Sequence, residues 1–147
     1  TLAALKHHED ADYVFTPYAH LHDVMEHVPR ADVLGFVTHL SSHVLGRLTR
    51  LPPRSTIGLI TERRDSIPPL STLLRQHDAF NGQVIAASIE EGTDHLNSVL
   101  EQVACVLYTP NCKRRVRTHL DPNQAHSLFQ LLISTDSLDA LAAAVPA

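Results

Sequence analysis

Cysteine is scarce. The 147 residues hold two, Cys105 and Cys112, too few for a disulfide framework and in keeping with a reducing compartment. No apolar run approaches the ~20 residues that a membrane-spanning helix needs. The longest are strand-sized, such as Ala104 to Tyr108. Thr1 to Asp10 carries charges and lacks an apolar centre, so no signal peptide is legible there. These absences together point to the cytoplasm. A large charge of one sign is missing as well. A net charge of −4 lacks the footprint of a nucleic-acid binder, so any action on DNA would need another domain. The common catalytic fingerprints are also absent: no GxGxxG after a strand, no P-loop, no GxSxG elbow, no CxxC pair. With no nucleophile beside an evident base, the sequence favours binding over turnover, and no catalytic residue is assigned.

What remains is an ordinary folded composition, 44% apolar and 19% charged. The length suits a single ligand-binding domain over 1–147, which would bury roughly 70% of its unfolded surface. Thr1 in place of an initiator Met suggests a processed chain or a fragment of a longer one. Short β-branched runs alternate with helices of period 3.6, the pattern of repeated β-α units. Strands are expected at Tyr13 to Phe15, Val33 to Val37, Thr56 to Ile60, Gln83 to Ile89 and Ala104 to Tyr108, with a more ambiguous one at His126 to Leu132. Thr1 to Glu9 reads as the end of a helix. Helices follow over Tyr18 to Val28, after Ser41-Ser42, from Pro68-Pro69 to near His77, after Thr93, and from Pro110. A last helix is capped by Ser134 to Asp136, with Leu138, Leu141, Ala142 and Val145 facing inward. The expected fold is a three-layer α/β architecture, a mainly parallel sheet with helices on both faces. The alternative is two small α/β lobes, as in periplasmic binding proteins, with the chain crossing near 52–56 and 120–126.

Ligands of such sheets sit outside the carboxyl ends of the strands, beside helix starts. Hydroxyls recur there: Thr16, Tyr18, Ser41, Thr61 and Thr109, with Asn111 and the imidazoles of His20 and His39. The same residue types also cap helices, so the repetition over several loops, more than any one position, marks a site. Arg63 and Arg64 lie in one of these loops and supply the planar fork that grips an anion. A small anionic metabolite is therefore the expected ligand. Eleven histidines are scattered along the chain. His39 and His43, four apart, would share one face of a helix and with His20 suit zinc. No HExxH arrangement supports this, and neither metal nor cofactor is assigned.

The segment Asp12-Tyr13-Val14-Phe15-Thr16-Pro17-Tyr18-Ala19-His20-Leu21-His22-Asp23-Val24 resembles the strand-Thr-His-helix opening of the effector-binding domain in some bacterial regulators of the GntR winged-helix type. Arg50 to Thr61 is similar to that domain's Leu-Pro-Pro entry into a central strand, and Gln124 to Leu141, with Asp136-Ser137-Leu138, fits its closing piece. The resemblance implies a homodimeric sensor that meets DNA only through a separate winged helix, which this chain does not contain. It also implies that Thr16, His20 and Thr61 line the effector pocket. Beside the sensor stand two other readings. One is a small hydrolase or isomerase using His20 or His39 as acid/base, with Thr109 to Cys112 binding substrate. The other is an interaction module, whose sign would be an exposed apolar patch.

Overall fold

The structure, a computed structural model, describes residues 11–29, 31–78 and 80–145. The helix expected over Thr1 to Glu9 lies outside them. The chain divides into two compact units, one of residues 1–39 with 131–147, the other of residues 40–130. These boundaries fall well outside the crossing points of 52–56 and 120–126 expected for a two-lobed chain.

The first unit opens with β1 (Tyr13–Pro17), a 3-10 turn over Tyr18–His20, α1 (Leu21–His27) and β2 (Asp32–Phe36). β1 and β2 pair in parallel, Tyr13 opposite Asp32 and Phe15 opposite Leu34. α1 closes this β-α-β turn by burying Val24, with Val28 buried just after it. Val24 and Val28, one helical turn apart, thus mark the inward side, while Met25 stands 52% exposed. The unit is completed by β8 (Leu131–Ile133) and α6 (Thr135–Ala144). Ser134 caps α6 by accepting the Ser137 N–H, as its position predicted. Ser137 Oγ in turn accepts the Val37 N–H at 2.9 Å, tying the helix start to the end of β2. The stripe expected to face inward does not: α6 buries none of its residues, and Leu138 is 49% exposed.

β3 (Thr38–Leu40) pairs with β8 where the chain passes from the first unit to the second and back. The second unit holds α2 (Ser42–Leu48), β4 (Thr56–Thr61), α3 (Ile67–Arg75), β5 (Gln83–Ser88), α4 (Thr93–Leu100), β6 (Cys105–Tyr108), α5 (Lys113–Arg117) and β7 (Ala125–Leu128). Its sheet is parallel throughout, in the order β5-β4-β6-β7. Every residue of β6, and all of β4 after Thr56, is buried, which is why both read as unbroken apolar runs. On one face Ile60, Val106 and Tyr108 pack with Leu96, Val99, Leu100 and Val116. Successive connections run from β4 outward to β5 and then back across β4 to β6. Right-handed crossovers therefore place α3 on one face of the sheet and α4 and α5 on the other. The fold class is α/β, a parallel sheet with helices flanking both faces.

Local chemistry sets the boundaries. Ser41 caps α2 by accepting the Val44 N–H at 3.4 Å, and prolines stand in the first turn of α3. Gly92, at φ 92°, makes the left-handed step into α4 that a side chain would oppose. No helix among the described residues is long and apolar enough to cross a membrane.

Candidate functional site

In the second unit, β4 leads toward β5 on one side and β6 toward β7 on the other. The strand order reverses between β4 and β6, and the crevice at their carboxyl ends is where doubly wound sheets hold ligands. The loops meeting there are 61–66, after β4, and 109–112, after β6. Across them Asn111 Nδ2 donates to Glu62 Oε2 at 2.7 Å, joining residues 49 apart in sequence. Both side chains are exposed, so the clasp lies at the surface, at the carboxyl ends of β4 and β6.

Beside the clasp Thr61 and Cys112 are buried and paired. Thr61, fully buried, donates its hydroxyl to the Arg63 carbonyl at 2.7 Å and so turns the chain out of β4. Thr109 Oγ1 and Cys112 Sγ are 3.2 Å apart, and the Cys112 N–H returns to the Thr109 carbonyl in a tight turn. Burial pushes the Cys112 thiol up, with the Glu62 carboxylate adding to the shift against the Thr109 hydrogen bond. A protonated, buried thiol held by a hydroxyl is not an activated nucleophile.

The neighbouring loop after β5 is stitched to the first. Ser88 and Glu91 form a capping box, with the Ser88 N–H donating to Glu91 Oε2 at 2.8 Å. That backbone bond is the main cause holding the Glu91 carboxyl below the usual range. Glu90 Oε2 accepts the Arg64 N–H at 3.1 Å, and the Arg64 guanidinium lies 3.9 Å from Glu91 Oε1. Arg63 has turned onto Asp65, donating from Nε and from Nη2 at 3.0 Å. This contact raises the arginine's pKa and lowers the carboxyl's. The two guanidinium forks expected to await an anion thus already face carboxylates. The rim carries Glu62, Asp65, Glu90 and Glu91 against Arg63 and Arg64.

The ten residues nominated from sequence fall into two sets. Thr61, Arg63, Arg64, Thr109 and Asn111 are in the loops just described. Ser41 belongs to the same unit: its N–H donates to the Gln130 carbonyl at 3.0 Å, two residues beyond β7. Its hydroxyl is taken by the α2 cap. Thr16, Tyr18, His20 and His39 belong to the first unit. There Thr16 is buried, its hydroxyl 3.4 Å from the Pro17 carbonyl oxygen, while Tyr18 is 68% exposed and His20 opens α1 without a side-chain capping bond. His39 lies in β3 and His43 in α2, so the shared helical face expected for them does not exist. Among the described residues no group of three or more His, Cys, Asp or Glu is arranged to hold a metal.

Sequence reading missed Glu62, Glu90 and Glu91. Their signal is position, in the loops just after β4 and β5. Two further concavities lie at the opposite, amino ends of the strands. One of about 190 Å³ is lined by Leu48, Leu51, Pro52 and Phe80. An open groove of about 860 Å³ runs past Leu100, Val103, His119 and Gln124. No protein-family model, curated protein or solved structure matches the chain.

Proposed function

We propose that the chain is a cytoplasmic small-molecule-sensing domain of a bacterial transcription regulator of the GntR type. Its ligand would be received at the β4–β6 crevice. The observation that carries the reading is the Glu62–Asn111 hydrogen bond, a solvent-exposed donor–acceptor pair spanning the two loops at the point where the strand order reverses. A ligand with its own donor and acceptor can replace that bond with two of its own, spreading or closing the loops as it does so. An anionic metabolite fits if it takes Arg63 from Asp65. That exchange costs little, because both side chains are more than half exposed and solvent screens their attraction. The buried, protonated Cys112 supports sensing over nucleophilic catalysis. DNA would be reached through a separate winged helix, and a homodimer would convert loop movement into a change in the spacing of two such modules.

The test is a thermal-shift titration of wild type and Asn111→Ala against a panel of anionic metabolites. A bound metabolite at a hundredfold excess over its Kd adds about 2.7 kcal/mol. At this chain length that raises the wild-type Tm by about 5–11 °C. The same metabolite should shift Asn111→Ala by less than half as much. A shift undiminished in the variant would remove the crevice as the site.

A further inference from the structure

The two units divide the apolar residues unevenly. Among the described residues 21 apolar side chains are buried, and of these only Val24 and Val28 lie in the first unit. All eight large apolar side chains exposed among the described residues lie in that same unit, Phe15, Met25, Leu132 and Leu138 among them. Charge divides as sharply. The described residues of the first unit contain no Lys or Arg, but they carry Asp12, Asp23, Glu26, Asp32, Asp136 and Asp139, each exposed.

The strand register makes part of this surface continuous. Side chains alternate across a sheet, so Tyr13, Phe15 and Pro17 share one face with their partners Asp32, Leu34 and Phe36. The opposite face is covered: a Cβ at Gly35 would meet Tyr18 Cδ2 at 3.2 Å and Leu21 Cδ2 at 3.5 Å. α6 lies against β2 and buries none of its own residues. The result is an apolar sheet face with a half-exposed Phe15, an aspartate on the same face, and a helix on which Leu138 is also half exposed. Contiguous apolar surface rimmed by charge is the mark of a protein-binding surface.

We propose that this face docks a basic, apolar segment of another protein, its apolar side chains covering Phe15 and Leu34 and its Lys or Arg side chains meeting Asp32, Asp136 and Asp139. The inference does not depend on the sensor reading. Charge complementarity selects the occupant. A second copy of the chain fits poorly from either side, because the described residues of its first unit would bring carboxylates against carboxylates. Its basic helix, α5, holds four cations in five residues but has its one large apolar side chain, Val116, fully buried.

The probe is a synthetic amphipathic helix of leucine and arginine, titrated into the full chain while amide resonances are followed. A helix with glutamate in place of arginine serves as control. The arginine helix should shift resonances within 13–36 and 131–145, and bind more weakly as salt shortens the Debye length. Phe15→Ser and Leu138→Ser should each weaken it by about tenfold or more. Both positions are exposed enough for the fold to survive, and an unchanged dispersed spectrum of the free variant verifies this. Asp32→Asn with Asp136→Asn should flatten the salt dependence. Equal binding of the glutamate helix, or shifts centred on 61–66 and 88–93, would overturn the proposal. So would a dimer in sedimentation that Phe15→Ser dissociates, which would assign the face to a second copy. Nuclear Overhauser contacts from Phe15 to Leu2 or Leu5 would give it instead to the chain's own first residues.

Discussion

Two glycines in the second unit should respond to the same substitution with opposite sign. Gly82 stands just before β5, and a Cβ there would lie 2.1 Å from the Ser55 carbonyl oxygen and 3.0 Å from Phe80 Cε2. Non-bonded heavy atoms settle near 3.5–4.0 Å, so roughly an ångström or more of backbone retreat is required. The oxygen in the way accepts the Gln83 N–H at 3.2 Å, a bond that starts the β4–β5 pairing. Gly82→Ala therefore combines overpacking, about 1–3 kcal/mol, with damage to a hydrogen bond worth about 0.5–1.5 kcal/mol. A total near 2–4 kcal/mol corresponds to a Tm lower by about 4–16 °C at this size. Gly46 lies inside α2 with nothing within 4 Å of its would-be Cβ. There alanine removes backbone freedom from the unfolded chain and adds helix propensity, for a gain of about 0.5–1 kcal/mol. Urea unfolding of the three proteins, read by far-ultraviolet circular dichroism, measures both effects on one scale. A Gly82→Ala protein within about 0.5 kcal/mol of wild type would refute the close approach of the Ser55 backbone to β5, the usual scatter of surface changes.

The capping box makes a second expectation. The folded state lowers the pKa of Glu91, so its stabilising contribution is complete above the pKa of an unfolded glutamate. It is lost as pH falls through the lower folded value. Glu91→Gln should therefore lower stability at neutral pH and flatten the decline of Tm on acidification; parallel Tm–pH curves for both proteins would contradict this. Both cysteines are buried, and burial is the main cause raising each thiol. Ellman's reagent should consequently label neither at neutral pH in the native protein and both in denaturant. Rapid native labelling of Cys112 would contradict the closed turn at Thr109.

Strand and helix positions were legible because each is set by local spacing. Thr56 to Ile60 and Ala104 to Tyr108 are continuous apolar runs because they lie in the middle of a parallel sheet, and Ser41 and Ser134 both cap the helices they precede. The failures are all long-range. β3 was read as loop because three residues carry little pattern and its partner, β8, lies some ninety residues downstream. His126 to Leu132 was read as one strand, yet β7 and β8 belong to different units. The stripe on α6 was a correct reading of helical period and a wrong reading of burial, since period says which side is apolar and not whether anything covers it. Thr61, Thr109 and Asn111 stand at the ends of β4 and β6, where adjacency to strands places them. Glu62 was not legible, because its importance depends on a partner 49 residues away.

The hydrogen bond from the Ser41 N–H to the Gln130 carbonyl has a consequence for how the chain assembles. It draws together the two ends of the second unit, which is inserted as a single stretch into the sequence of the first. For an unstructured insert of this length, bringing its ends together costs about 4 kcal/mol in loop-closure entropy. Once residues 40–130 have folded, that cost has already been met, and β8 and α6 arrive within reach of β2 as though joined to it by a short turn. An order of assembly is expected from this: the inserted unit, rich in near-neighbour β-α contacts, forms first, and the interrupted unit assembles afterwards. The same pinned ends make residues 40–130 a natural unit for excision, and make a new chain start within one of their exposed loops a tolerable rearrangement.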